Sequence, residues 1–485
     1  MRAAVRDELI GALAPTELIG EPPSEIRDLA YDTRRVEPGA LFFCVPGERF
    51  DGHDLAADAV ARGAVGLVVE HRLDVAAPQI VVRSSRGAMG RAADVFFGRP
   101  TRELPVAGVT GTNGKTTTAL VVYAMLAAAG RRPGLLGTLE RRVGDETRPA
   151  ALNTPEAIDL QRLFSEMLDA GNESCAMEAT SEASAQGRLD GTRFAALAFT
   201  NLTQDHLDFH GTMEEYFEAK RRLFLGDDTP PAALNVADAY GRRLAEELST
   251  RGRQPVITFG LAGDADVRPE RLVLSPAGAT FRAAGLDLET GLRGRFNVEN
   301  VLAAVAVGRL LGLADDAIAG GVHAVQSVPG RFELVDEGQP FGVVVDYSHT
   351  PDSLENALRE ARTLAEGRVI CVFGCGGDRD PGKRPLMGAV AAELADVAIA
   401  TSDNPRSEDP LAIIADILRG ADDRLEVEPD RRAAIGRAVD AAREGDVVLV
   451  AGRGHEPRQH LRDGSIPFDD REVARAALRR REART

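Results

Sequence analysis

Short apolar runs alternate with amphipathic stretches along nearly the whole chain. ALFFCV (40–45), VGLVVE (65–70), LAFTNL (197–202) and PVITFG (255–260) have the length and apolar density of buried strands. Between them, DLAADAVARG (54–63), PEAIDLQRLFSEMLDAG (155–171) and VENVLAAVAVGRLLG (298–312) carry the helical period. The alternation resumes with VVVDY, RVICVFG, VAIATS and DVVLVAG, each followed by helical sequence. Strands alternating with helices predict parallel, helix-covered sheets and therefore an α/β fold.

Two segments break the pattern, GRPTREL (98–104) and VPGRFELVDEGQP (328–340). They divide the chain into units of 1–103, 104–332 and 333–485. A length of 485 residues agrees, at about 100–200 residues per domain. Hydrophobic residues make up 44% of the chain, enough for several cores. No apolar run approaches the ~20 residues of a membrane span, so no membrane insertion is expected. The N-terminus lacks an apolar core followed by a cleavage site, so no signal peptide is expected either. Cys44, Cys175, Cys371 and Cys375 lack metal-ligand spacing and read as reduced core thiols, which places the chain in the cytoplasm. A net charge of −17 argues against nucleic acid as a partner.

Chemistry enters at residues 105–118, PVAGVTGTNGKTTT. A strand, a glycine-rich turn, a lysine and a hydroxyl at a helix N-terminus together make a phosphate cradle. Lys115 supplies positive charge and Thr116 suits Mg²⁺. Val109 stands where the usual phosphate loop has its first Gly. Further polar clusters follow other predicted strands. Glu178 ends an apolar run, and Asp205, His206, Asp208 and His210 crowd behind the next one as a metal or phosphate site. Lys220 lies on the helix after that cluster. DYSHTPDS (346–353) offers Asp346 and His349, and FGCGGDRDPGKRP (373–385) is a basic, glycine-rich loop. SDNPRSEDP (402–410) and AGRGHEPRQ (451–459) add Arg406, a bidentate partner for a carboxylate, and Glu456, a receiver for an ammonium. A zwitterionic amino acid needs both.

GTNGKTT, EATS, TNLTQDHLDFHGTMEEYFEAK, RFNVENVLAA, VPGRFE, VDYSHTPDSL, GCGGDRDPGKRP, DNPR, AGRGHE and FDDRE occur here in this order. In that set and order the chain resembles the Mur ligases over essentially its whole length. The resemblance implies three domains: a uridine-binding domain at 1–103, a central P-loop-type ATPase domain with a mainly parallel sheet at 104–332, and a Rossmann-like amino-acid-binding domain at 333–485. It implies an ATP-dependent amide ligase that works as a monomer in peptidoglycan precursor synthesis. Its substrates would be ATP, a UDP-N-acetylmuramoyl dipeptide and meso-diaminopimelate, with Mg²⁺ as cofactor.

The resemblance also assigns roles. Gly111, Thr112, Asn113, Gly114, Lys115, Thr116, Thr117, Asn300, Arg331 and Asp346 fall at ATP positions. Thr116, Glu178, His206 and a carbamate on Lys220 fall at metal positions, and Lys115, Lys220 and His206 at catalytic ones. Thr33, Glu48, Phe50, Asn153, Thr154, Thr180, Gln186 and Arg188 fall where the family holds the UDP-substrate. Arg384, Asp403, Asn404, Pro405, Arg406, Gly452 and Glu456 fall where it holds the amino acid. Arg406 marks the diaminopimelate-using pattern, its guanidinium meeting the distal carboxylate while Gly452 and Glu456 meet the distal ammonium. Glu182 replaces the family's His, Thr180 a Ser, Asn153 a Thr and Arg453 a Lys, while Val109 is the family's own version of the loop.

Overall fold

A computed structural model describes residues 3–483, apart from 48–49, 151, 227, 262 and 422–423. Three large sheets follow one another along the chain. The first has five strands in the order Glu17–Ile19, Gln79–Val81, Gly66–Val69, Ala40–Phe43 and Asp28–Ala30. Its last four strands are parallel, and only the edge strand Glu17–Ile19 runs antiparallel.

The second sheet has eight strands. Six are parallel, in the order Val256–Phe259, Ala232–Asn235, Phe194–Phe199, Val106–Thr110, Ser174–Glu178 and Pro133–Leu136. Val106–Thr110 lies centrally with all five residues buried, which explains its unbroken apolar sequence. The helices Lys115–Ala128 and Arg295–Leu310 cover one face through Val121, Val122, Met125, Val301 and Val305. The helix Ala157–Asp169 covers the other through Leu160, Phe164 and Met167.

The third sheet has six strands, in the order Glu333–Leu334, Gly342–Asp346, Val447–Ala451, Val369–Phe373, Val397–Ala400 and Glu426–Val427. All but the antiparallel edge Glu333–Leu334 are parallel. Carboxyl ends of parallel strands are where such sheets present ligand groups. Thr110, Glu178, Phe199, Asp346, Phe373, Ala400 and Ala451 are such ends, and every polar cluster singled out in the central and C-terminal units follows one of them.

The α/β expectation holds, with three antiparallel additions among the described residues, one of them the hairpin of Arg458–Leu461 and Gly464–Pro467. Glu140–Val143 and Glu146–Pro149 extend the central sheet as a meander. Glu270–Ser275, Gly278–Ala283 and Leu286–Thr290 form a separate antiparallel sheet. Its inward residues Phe281 and Leu288 join Ile318 and Val322 of the helix Asp315–Ala324 in the core. The alternating exposure of Gly278–Ala283 is the period-two pattern of a half-buried strand. All four cysteines are free and buried. Among the described residues no helix is long and apolar enough to cross a membrane.

Candidate active site

The turn between Thr110 and Lys115 needs glycine at both ends. Gly111 and Gly114 have φ of 144° and 88°. A Cβ at Gly111 would lie 1.9 Å from Thr200 Oγ1, and one at Gly114 would lie 2.1 Å from Asn300 Oδ1. No side chain caps the helix Lys115–Ala128, so its first N–H groups stay open to an anion. Thr200 Oγ1 donates to the Asn113 carbonyl (2.6 Å), and Asn201 Oδ1 accepts from the Asn113 N–H (2.9 Å), fixing the loop.

Two lysines enter from below. Lys115 Nζ donates to the carbonyls of Gly111 (2.9 Å) and Thr112 (2.8 Å). Lys220 Nζ, from the helix Met213–Arg221, donates to the same Gly111 carbonyl at 2.9 Å and lies 4.6 Å from the Tyr216 ring centre. Burial, reinforced by the charge of Lys115, holds Lys220 well below the usual lysine range. Burial lowers Lys115 too, against the pull of Glu178 and Asp205.

Glu178 is buried at its strand end. Its carboxylate accepts from the Thr138 N–H (2.6 Å) and hydroxyl (3.0 Å). His206 has a left-handed backbone (φ 53°) and lies between two carboxylates. Its Nδ1 is 3.2 Å from Glu182 and its Nε2 is 3.3 Å from Asp205. Burial lowers the His206 imidazole despite both neighbours. Burial works against the charge of Asp205, but a hydrogen bond from His349 and the nearby His206 hold this carboxyl well below its usual range.

Among the described residues no three His, Cys, Asp or Glu side chains gather as a self-sufficient metal site. Mg²⁺ does not require one, since it usually takes one or two protein oxygens and completes its shell with phosphates and water. The Glu178 carboxylate and the Thr116 hydroxyl, both buried beside the phosphate loop, are hard oxygen donors of that kind. The residues present therefore fit Mg²⁺ bound together with a nucleotide.

Two cavities flank this centre. One, of about 370 Å³, includes Asn113, Gly114, Thr116, Thr117, Asn300, Arg331 and Asp346, all expected at ATP positions. Arg331, near the end of the central unit, reaches the phosphate-loop helix, its Nη2 donating to Thr116 Oγ1 at 3.1 Å. Asp346 accepts from the Phe332 N–H at 2.7 Å, which anchors the segment carrying Arg331. Glu299 and Asp352 also line this cavity and were not singled out from the sequence.

The second cavity, of about 320 Å³, joins the central and C-terminal units. From one side come Asn153, Thr154, Thr180, Arg188 and His206, and from the other Asp403, Asn404, Arg406, Gly452 and Glu456. Thr180 caps the short helix Ser181–Ala185, and Thr154 Oγ1 donates to the Glu178 carbonyl (2.8 Å). Arg406 holds a left-handed backbone (φ 52°), with its Nη1 donating to the Gly377 carbonyl at 2.5 Å. Asp403 Oδ2 is buried without a hydrogen-bond partner, and a Cβ at Gly452 would come within 2.6 Å of it. Glu456 Oε2 accepts from Asn404 Nδ2 at 2.7 Å.

Some expected residues lie elsewhere. Arg384 does not line the cavity. It is one residue into the helix Lys383–Leu394 and turns toward Glu408 (2.8 Å) and Asp416 (3.0 Å), its side chain almost fully buried. Arg379, in the loop before that helix, lines the cavity instead. Pro405 and Gln186 do not line it either, and Gln186 Oε1 is buried without a partner. In the first unit Thr33 is buried beside its cap Asp32, and Phe50 is 76% exposed. Glu48 lies outside the described residues.

Three family models match in chain order. They are the Mur ligase family catalytic domain at 25–96, the Mur ligase middle domain at 109–308, and the Mur ligase glutamate ligase domain at 330–454. The UDP-N-acetylmuramoyl-L-alanyl-D-glutamate–2,6-diaminopimelate ligase of Solibacter usitatus is 50% identical over 468 residues, covering 94% of each chain. The chain belongs to the Mur ligase family. A solved Mur ligase structure carrying the same enzyme name is 32% identical and covers 98% of this chain and 99% of its own, with a TM-score of 0.69. The MurF ligase of Thermotoga maritima, solved in complex with ADP, shares the fold at 19% identity and a TM-score of 0.65, covering 95% and 99%. The two cavities described above therefore belong to a Mur ligase.

Proposed function

We propose that this Mur ligase adds meso-diaminopimelate to UDP-N-acetylmuramoyl-L-alanyl-D-glutamate, using ATP, in cytoplasmic peptidoglycan precursor synthesis. The relatives named for this reaction support the proposal. The observation that carries it is the pairing of opposite charges in one cavity. Arg406 lines a cavity that also holds Glu456 and Asp403, whose Oδ2 has no hydrogen-bond partner, a set suited to the carboxylates and ammonium groups of a diamino diacid.

The reaction proceeds in two steps. The γ-carboxylate of the D-Glu residue attacks the γ-phosphate of ATP, giving an acyl phosphate and ADP. The amine of the incoming amino acid then adds to the acyl carbon, and the tetrahedral intermediate expels phosphate. Lys115 and the open N–H groups of its helix face the developing phosphate charge, and Arg331, two residues before the third sheet's edge strand, approaches Thr116. The family's Mg²⁺, held by Thr116 and Glu178 with His206 nearby, would supply charge neutralisation. Lys220 gives the site an amine held toward its neutral form. Such an amine attacks CO₂, loses a proton and becomes an anionic carbamate.

The proposed units divide the task, with 1–103 for the uridine end, 104–332 for ATP and 333–485 for the amino acid. Oxygen-labelled γ-carboxylate in the dipeptide substrate tests the chemistry. One label should appear in the released phosphate. Label found only in the product amide would overturn the acyl-phosphate route.

A further inference from the structure

Tyr347 follows directly on Asp346, at the end of the strand Gly342–Asp346. Among the described residues it is the one side chain that lines both the nucleotide cavity and the amino-acid cavity. Its ring is therefore the shared wall between the two substrates.

Each side of that wall touches a group already assigned to one substrate. On the nucleotide side the Arg331 guanidinium lies 4.4 Å from the ring centre, and its Nη2 donates to Thr116 Oγ1 (3.1 Å). On the amino-acid side the phenol O–H donates to Glu456 Oε1 at 3.4 Å, a long bond that a better donor would displace. The other Glu456 oxygen is held by Asn404 (2.7 Å). The ring is also enclosed by His349 (4.6 Å) and His455 (5.2 Å), so it moves little without its neighbours. Backbone contacts tighten the link. A Cβ at Gly330 would lie 2.0 Å from the His455 nitrogen, and one at Gly454 would lie 2.9 Å from Tyr347 Cβ. The segment carrying Arg331, the loop carrying Glu456 and the Tyr347 backbone therefore pack directly on one another.

We infer that Tyr347 is a positioning residue that couples amino-acid occupancy to nucleotide binding, acting through Arg331 on one face and Glu456 at its hydroxyl. The inference rests on the assignment of the two cavities under Proposed function. With the amino-acid side empty, Glu456, whose Oε2 lies 3.9 Å from Arg453, holds the phenol O–H of the ring that carries Arg331. An arriving ammonium group neutralises Glu456 and takes over the oxygen that the phenol holds. Arg331 then directs its charge to the phosphates, and the nucleotide binds more tightly. By linkage the nucleotide must tighten the amino acid by the same factor. The hydroxyl is needed to sense Glu456, and the ring is needed to carry Arg331.

The test is a ratio of affinities, measured by calorimetry on the full-length protein. ADP is titrated with and without saturating meso-diaminopimelate, for the wild type and for Tyr347→Phe, which keeps the ring and removes only the hydroxyl. The wild-type ratio should be at least about fivefold in favour of the amino-acid complex. Tyr347→Phe should bring that ratio to within about twofold of one, whatever the absolute affinities. In turnover the same variant should raise the KM for the amino acid more than it lowers kcat, a split that a purely structural lesion would not give. A Tyr347→Phe ratio equal to wild type overturns the inference. So does a wild-type ratio of one with both ligands bound, which leaves the functional reading standing. A wild type that binds neither ADP nor diaminopimelate overturns both.

Discussion

Lys115 and Lys220 donate to one and the same acceptor, the Gly111 carbonyl, each at 2.9 Å. Two ammonium groups this close repel, and Lys220 is the more completely enclosed, lying 1% exposed under the phosphate loop. Burial lowers both lysines, Lys220 further with the charge of Lys115 against it, while Glu178 and Asp205 pull Lys115 back toward its charged form. Such an uneven pull on two lysines sharing one carbonyl is what a phosphate-binding cation beside a reactive amine requires.

If Lys220 works as a carbamate, Lys220→Ala should lower kcat by about 100-fold or more. Short carboxylic acids such as formate should restore part of the loss, since they refill the space with an anion. Isotope-labelled bicarbonate should give a carbamate signal in the wild type and none in the variant. Undiminished activity in Lys220→Ala would sink this role.

Arg406 should set the choice of amino acid. Leaving one partner of a desolvated charge pair alone costs on the order of 2–5 kcal/mol, so Arg406→Ala should cut kcat/KM for diaminopimelate about 30-fold or more. Lysine, which lacks the distal carboxylate, should be affected far less. An unchanged ratio of the two kcat/KM values would remove Arg406 from this role.

Glu299, on the wall of the nucleotide cavity, carries a pH signature. Burial, with added repulsion from Asp238 and Asp352, raises its carboxyl to about 7, against the pull of Arg295. The folded state thus binds a proton that the unfolded state, near 4.5, has already released. The associated stability is complete below about pH 4.5 and is lost as pH rises through about 7. Glu299→Gln has no such proton, so it should gain roughly 1–3 kcal/mol over the wild type between about pH 5 and pH 8. Denaturant midpoints across that range provide the check, and a pH-independent difference would contradict it.

The third sheet is pinned by a fully buried ion pair. Arg431 Nε and Nη2 donate to Asp470 at 2.8 and 2.6 Å, and Nη2 also donates to the Ala451 carbonyl (2.9 Å) just before the Gly452–Glu456 loop. Asp470→Ala leaves a buried guanidinium uncompensated and should destabilise the protein by about 3–5 kcal/mol. A loss below about 1 kcal/mol in chemical denaturation would show that Arg431 finds another partner.

The phosphate loop was legible in the sequence because its determinants are local. Gly111, Gly114, Lys115 and Thr116 define one turn and the helix it opens. Glu178 and Asp346 at strand ends, and Asp403 three residues past one, were legible for a related reason, since apolar runs mark the strands and polar residues follow them. Arg384 was not placed correctly, because its direction depends on the helix Lys383–Leu394 meeting Glu408 and Asp416 from later in the chain. Arg379 carried a weak signal, its position in a glycine-rich basic loop. Tyr347 carried almost none, since an aromatic after an apolar run reads as core. Its position between two cavities follows only from the packing of the 330 and 454 backbones. The antiparallel sheet at 270–290 is hard to read from sequence because its alternation is short and half-exposed, with no long apolar run to mark the strands.

The central claim is tested most directly by phosphate release with ATP, UDP-N-acetylmuramoyl-L-alanyl-D-glutamate and each of a panel of amino acids in turn. Release should depend on the dipeptide substrate and be supported by meso-diaminopimelate far better than by lysine, with the tripeptide product formed in equal amount. Release with no amino acid, or equal release with lysine and diaminopimelate, would contradict it.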